Sequence, residues 1–154
     1  MTKKIKSILV TGASGYIGGR LLELLLQNKF NAISMARRPA QFLQKFNIPH
    51  ECRFGDTFKP ESLDKALKGV DTVFYLIHSL NDQSNFVDKE IESVTNFVKS
   101  AQKNNIKRII YLGGLFNESE DLSPHLKSRK LVGDIIRSSG ITNITFRASI
   151  ILGS

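Results

Sequence analysis

A short apolar run at residues 5–10 is followed at once by Thr11-Gly12-Ala13-Ser14-Gly15-Tyr16-Ile17-Gly18, and residues 17–26 then form an apolar stretch long enough for a helix. Strand, glycine loop and helix in that order constrain the fold of everything downstream. Gly12, Gly15 and Gly18 stand three residues apart, and each spacing has a physical use. The first glycine allows a sharp turn, the second lets backbone N–H groups approach an anion with no side chain between, and the third permits close packing of helix on strand. Unpaired N–H groups and the positive end of the helix dipole make such a turn an anion site. Its place between strand and helix, near the N-terminus, points to the pyrophosphate of a dinucleotide rather than to a purely structural loop.

The alternation recurs along the chain. Residues 32–36 read as a strand, 39–46 as a helix opened by Pro39, 51–54 as a third strand and 60–67 as a short helix opened by Pro60. Residues 72–77 are almost wholly apolar, as a central parallel strand covered on both faces must be. Between 86 and 103 the residues Val87, Ile91, Val94, Val98 and Ala101 follow helical spacing. Asn104-Asn105 ends that helix, 109–112 is a strand, Ser123-Pro124 opens a helix to about Ser138, Gly140 closes it, and 144–152 is the last strand. Right-handed crossovers then predict an α/β fold, a parallel sheet with helices on both faces. The dinucleotide-type glycine loop makes it a Rossmann-type doubly wound sheet, for which about six strands in the order 3-2-1-4-5-6 are expected. No repeat or linker divides residues 1–154, so one dinucleotide-binding domain is expected.

Composition narrows the classes. A chain of 154 residues, 41% hydrophobic and 23% charged, supports one core that buries roughly 70% of the unfolded surface without a staple. Cys52 is the only cysteine, which excludes an internal disulfide, fits a reducing cytoplasm and reads as a packing residue. Met1-Thr2-Lys3-Lys4-Ile5-Lys6 resembles the start of a signal peptide, but only Ile8-Leu9-Val10 follow before glycines intervene, so neither a secretion signal nor a membrane span is expected. The net charge of +8 raises the question of nucleic acid. The basic residues are scattered without interleaved aromatics, so solvated surface is the expectation, with part of the charge left for a phosphate-bearing ligand. His50, His78, His125 and Cys52 lack a metal-ligand spacing, and no metal is expected.

At the end of the second strand an NAD-binding domain would present an acidic residue to the ribose, and this chain has Ala36-Arg37-Arg38. A carboxylate repels a 2′-phosphate and a guanidinium binds one, so Arg37 favours NADP over NAD; the alternative is that the arginines face water. Asp56, after the third strand, stands where it could accept from an adenine amino group, or simply forms a turn. His78 follows the central strand, at the edge where open α/β sheets bind ligands.

Thr11-Gly12-Ala13-Ser14-Gly15-Tyr16-Ile17-Gly18-Gly19, Phe54-Gly55-Asp56, Leu67-x-Gly69-Val70-Asp71, Tyr75-Leu76-Ile77-His78, Tyr111-Leu112-Gly113-Gly114 and Ser123-Pro124-His125-Leu126 together resemble the atypical and extended short-chain dehydrogenase/reductases. Within them the chain is most similar to NAD(P)H-binding proteins of the nucleoside-diphosphate-sugar epimerase-like kind, whose relatives include NmrA-type regulators and complex I-associated subunits. The resemblance implies a pyrophosphate loop at Gly12, Ser14, Gly15, Tyr16, Ile17 and Gly18, cofactor selection at Arg37, and a nicotinamide flanked by Ile77, His78, Leu112, Gly113 and Gly114.

Departures from the family pattern bear on catalysis. Where catalytic members carry Tyr-x-x-x-Lys, this chain has His125-x-x-x-Arg129, a spacing that keeps both on one helix face. Histidine can exchange a proton near neutral pH, or serve as an ordinary helix-start residue; arginine can bind ribose or phosphate but is too basic to donate a proton. The expected serine or threonine is replaced by Gly113 and Gly114, and Tyr111 reads as packing. Glu118, Glu120 and Asp121 read as a solvated loop. Two functions lead: an NADP-dependent oxidoreductase or epimerase using His125, Arg129 and the backbone around Gly113, and a non-catalytic NAD(P)H-binding sensor or assembly module; a third, a basic nucleic-acid-binding protein, rests on charge alone. Family members continue into a substrate-recognising part, which is expected to be absent from this chain.

Overall fold

The computed structural model describes residues 6–46, 48–78, 85–116, 122–149 and 151. Strands β1 (Ser7–Val10), β2 (Asn31–Ala36), β3 (Glu51–Phe54), β4 (Thr72–Tyr75), β5 (Arg108–Gly114) and β6 (Thr142–Ala148) alternate with helices α1 (Tyr16–Gln27), α2 (Pro39–Lys45), α3 (Pro60–Ala66), α4 (Phe86–Lys103) and α5 (Pro124–Ser138). All five strand pairings are parallel and the order is β3-β2-β1-β4-β5-β6, as expected of a Rossmann-type sheet. The strand order reverses between β1 and β4, and at such a switch point the loops beyond the strand ends part to leave a crevice.

Strand alternation divides the core. Leu9, Ile33 and Val73 face the larger cluster, which contains Leu63, Phe97, Tyr111 and Ile136 from the α3, α4 and α5 side. Val10 and Ala32 face a smaller cluster with Ala13 of the glycine turn and Leu22 of α1. β1 is thus covered on both faces, as a central parallel strand must be. Edge strand β6 is not: Ile144 and Phe146 are 43% and 58% exposed. Among the described residues no helix is long and apolar enough to cross a membrane.

The last strand, expected over 144–152, starts earlier and stops at Ala148, where its pairing with β5 ends at Gly114. Two further boundaries differ from the sequence expectation, each for a hydrogen-bonding reason. β4 stops at Tyr75 rather than continuing to Ile77. The Thr11 hydroxyl donates to Phe74 O at 3.1 Å and accepts from Leu76 N at 2.9 Å, so a side chain supplies what a neighbouring strand would have supplied. The chain leaves the sheet there and delivers Leu76, Ile77 and His78 to the crevice. β5, by contrast, runs through Gly113 and Gly114, because β6 pairs with it along its length, Gly114 opposite Ala148.

Candidate functional site

The glycine turn is built as its spacing requires. Gly12 has φ +64°, and a Cβ there would come within 2.6 Å of Leu76 O. A Cβ on Gly18 would enter the carbonyl group of Gly12. Gly15 differs: its backbone is extended, and the one neighbour a Cβ would meet is Gly12 O at 3.3 Å. Gly12 and Gly18 therefore hold the turn together, while Gly15 leaves its outer side clear. Gly15 is also the N-cap of α1, with no side-chain cap and no acidic residue in the first turn, so the positive end of the helix is presented to the crevice.

That crevice is a cleft of about 1400 Å3 running across the C-terminal ends of the strands. Gly12, Ser14, Gly15, Tyr16, Ile17 and Gly18 line its middle. Toward β2 and β3 it is lined by Arg37, Arg38, Gln41, Lys45, Asp56 and Phe58, and toward β4 and β5 by Ile77, His78, Gly113, Gly114 and Arg129. Every residue expected at the dinucleotide thus faces one continuous space. Lys45 joins Arg37 and Arg38, a third cation that strand-end reasoning misses because it comes from the far end of α2. Asp56 lines the cleft and also forms a turn, its Oδ1 accepting from Phe58 N at 3.0 Å.

At the β4–β5 end, Arg129 lies 3.2 Å from His78, Nη1 to Nε2. A guanidinium can only donate, so Nε2 accepts and the ring proton sits on Nδ1. Burial first, and the Arg129 charge second, push the His78 pKa down to about 4. Tyr111, 1% exposed, donates to Arg129 O at 3.1 Å, and burial raises its hydroxyl far above the usual range. A Cβ on Gly113 would lie 3.1 Å from Tyr111 Cε1, and one on Gly114 would lie 2.6 Å from Leu126 Cδ2. A serine or threonine at Gly113 would press on the buried Tyr111 ring, whereas at Gly114 it would displace only the end of the flexible Leu126 side chain.

His125 is placed differently from its expected partner. Arg129 lines the cleft, whereas His125 is exposed, is not among the lining residues, and lays its ring on Phe86 with centroids 4.9 Å apart. The shared helix face survives, but its first residue, near the start of α5, meets the start of α4 instead of the cleft. Glu118, Glu120 and Asp121 lie outside the described residues. His50 has a structural tie, Nε2 to Ser34 Oγ at 2.9 Å and Nδ1 to Ile48 O at 2.8 Å. Cys52 is half-buried, and burial raises its thiol pKa.

The His78 shift has a measurable consequence. Its folded pKa lies below the ordinary value of 6.5, so between about pH 6.5 and 4 the unfolded chain binds more protons. The stabilisation is complete above pH 6.5 and drains away as pH falls, at up to about 1.4 kcal/mol per unit. The expected total is about 3 kcal/mol. His78→Gln retains an acceptor for Arg129 without the titration, and its denaturant-derived stability should fall less steeply over this window. Parallel stability curves would show that His78 titrates alike in both states.

The model of the NmrA-like family matches residues 4–154. The chain belongs to the NmrA-like family. Among relatives of this NmrA-like chain, an N-acetyl-alpha-D-glucosaminyl-diphospho-ditrans,octacis-undecaprenol 4-epimerase of Escherichia coli O157:H7 is 31% identical over 109 residues, 68% of this chain and 31% of the relative. An NmrA-like family domain-containing oxidoreductase of Aspergillus flavus is 29% identical over 150 residues, 92% of this chain and 47% of the relative. The structure of a Citrobacter sp. triphenylmethane reductase complexed with NADP(H) superposes with a TM-score of 0.78 at 29% identity, covering 94% of this chain and 50% of that one. The chain spans half or less of the length of these relatives. It is an NmrA-like Rossmann domain related to epimerases and reductases.

Proposed function

We propose that this NmrA-like domain binds NADP(H) in the cleft and serves an oxidoreductase or epimerase. One observation carries the reading: an uncapped glycine turn and the Arg37, Arg38 and Lys45 cluster open onto the same cleft. The turn takes the pyrophosphate, and the cations take the 2′-phosphate that distinguishes NADP from NAD. Asp56 and Phe58 offer an acceptor and an aromatic face to adenine. Ile77, His78 and Gly113 flank the nicotinamide, which supplies or accepts a hydride when bound.

Arg129 has the charge to stabilise a substrate oxygen as negative charge develops on it. It is too basic to supply a proton, and Tyr111 is buried with its hydroxyl committed to Arg129 O. Neutral His78 accepts from Arg129, so the proton for a carbonyl product comes from water or from another part of the protein. His125 enters this scheme only by its place one turn before Arg129. Substrate recognition is assigned to sequence beyond this domain, in keeping with the greater length of the relatives. A single unpaired cysteine fits a cytoplasmic setting.

Calorimetric titration with NADP and NAD tests the reading: saturable binding with NADP tighter is expected, and no binding of either would overturn it. Arg129 also lines the nicotinamide end of the cleft, where it can bond a ribose or phosphate oxygen of the cofactor, so Arg129→Ala should weaken NADP by about 1–3 kcal/mol, the loss of a charge-assisted contact, and His125→Ala should change it much less. In the full-length protein His125→Ala should leave turnover within about tenfold; a fall on the order of 100-fold would place His125 in proton transfer.

A further inference from the structure

A second, much smaller pocket of about 70 Å3 lies where α5 crosses the ends of β5 and β6. Thr145 stands opposite Tyr111 in the β5–β6 register and Arg147 opposite Gly113. These alternate residues share the sheet face that α5 covers, since Tyr111 bonds to Arg129 O of that helix. Among the described residues, Arg129, Lys130, Arg137 and Arg147 line the pocket against one lining carboxylate, Asp134. That carboxylate is divided between Lys130 at 3.1 Å and Arg137 at 2.8 Å. Arg129 turns to His78, and Arg147 lies over the Phe116 ring at 4.8 Å. Among the described residues, positive charge is left in excess around this small pocket, which opens to solvent.

The second observation is independent of charge. Thr145 also lines the pocket, and its Oγ1 is buried without a hydrogen-bond partner among the described residues. A buried hydroxyl left unpaired is costly, and its presence marks a missing acceptor. We infer that this pocket is a site for a small oxyanion, a carboxylate or a phosphate group, held by the Thr145 hydroxyl and the Arg147 and Lys130 cations. A water would satisfy the hydroxyl but leave the excess charge unanswered. The volume equals the liquid share of roughly two waters, enough for an oxyanion head and too little for a nucleotide. The pocket borders the cleft at Gly113 and Arg129. The anion is therefore either free or carried by a compound lying in the cleft, and the inference does not depend on which dinucleotide binds there.

The test is an NMR titration of isotope-labelled full-length protein with sodium phosphate at constant ionic strength. Saturable shifts are expected at Gly113, Gly133, Thr145 and Arg147, separable from any at Gly15 and Arg37 that report phosphate on the glycine turn. Arg147→Gln, an exposed change that should not disturb folding, and Thr145→Val should each weaken the first set at least tenfold. Thr145→Val should not lower the melting temperature, because it removes an unpaired hydroxyl. A parallel titration with 4-oxopentanoate, which joins a carbonyl to a carboxylate, distinguishes the sources. Shifts that include His78 identify a substrate-borne anion, and shifts confined to the pocket identify a free one. Phosphate and 4-oxopentanoate that both leave the pocket resonances unmoved, or that move them equally in Arg147→Gln and the parent, would overturn the inference.

Discussion

Gly15→Val is expected to abolish dinucleotide binding and leave the fold standing, whereas Gly18→Val is expected to undo the fold itself. The two glycines belong to one motif, and their surroundings separate their roles. At Gly15 the backbone is extended, with φ −83° and ψ 167°, a conformation valine adopts freely, and a Cβ meets Gly12 O alone, at 3.3 Å. The added methyl groups project toward the space where the pyrophosphate approaches the N-terminus of α1. Losing that approach should weaken NADP at least roughly 100-fold, about 3 kcal/mol or more. At Gly18 a Cβ would meet Gly12 O, Gly12 C and Ala13 Cα, all backbone atoms that no rotamer change can move. α1 would have to part from β1, at a cost of about 3 kcal/mol or more. Calorimetry with NADP and denaturant melts of both variants read the contrast directly. If Gly15→Val binds like the parent, the turn is a structural element and the cleft reading fails.

The parts legible in the sequence were those fixed by local chemistry. Alternating strand and helix patterns led to a parallel sheet with helices on both faces, and the glycine spacing located the turn and with it the Rossmann-type order. The residues that escaped are those whose roles depend on neighbours distant in sequence. The apolar run predicts β4 to Ile77, because Leu76 and Ile77 are apolar, but the Thr11 hydroxyl, 65 positions from Leu76, ends the strand early. His78 and Arg129 could each be placed near the cleft from sequence, yet their contact spans 51 positions, and it is that contact, with burial, that holds His78 neutral. Helical spacing correctly put His125 and Arg129 on one face. It could not tell that the first meets Phe86 while the second reaches the cleft, because periodicity fixes a face and not what lies opposite each end of it.

The last expected result concerns cofactor choice. Arg37→Glu should reverse a preference for NADP, since it removes one cation from the phosphate end of the cleft and puts a carboxylate there. A ribose diol accepts that carboxylate as a hydrogen-bond partner, while a 2′-phosphate is repelled by it. Arg38 and Lys45 remain at the same end, so NADP affinity should fall by about 2–4 kcal/mol, roughly 30- to 1000-fold, rather than vanish. NAD affinity should hold or rise. Arg37 is exposed, which makes the difference sensitive to salt: the parent's advantage for NADP should shrink as ionic strength rises and the Debye length shortens. Lys45→Ala should produce a smaller loss with no gain for NAD, because it subtracts charge without adding an acceptor for the diol. Calorimetric titrations of the parent and both variants with NADP and NAD, at two salt concentrations, separate these outcomes. Equal affinities of the parent for the two cofactors would remove the phosphate role from Arg37, leaving Arg37, Arg38 and Lys45 as solvated surface beside a cleft indifferent to the 2′ position.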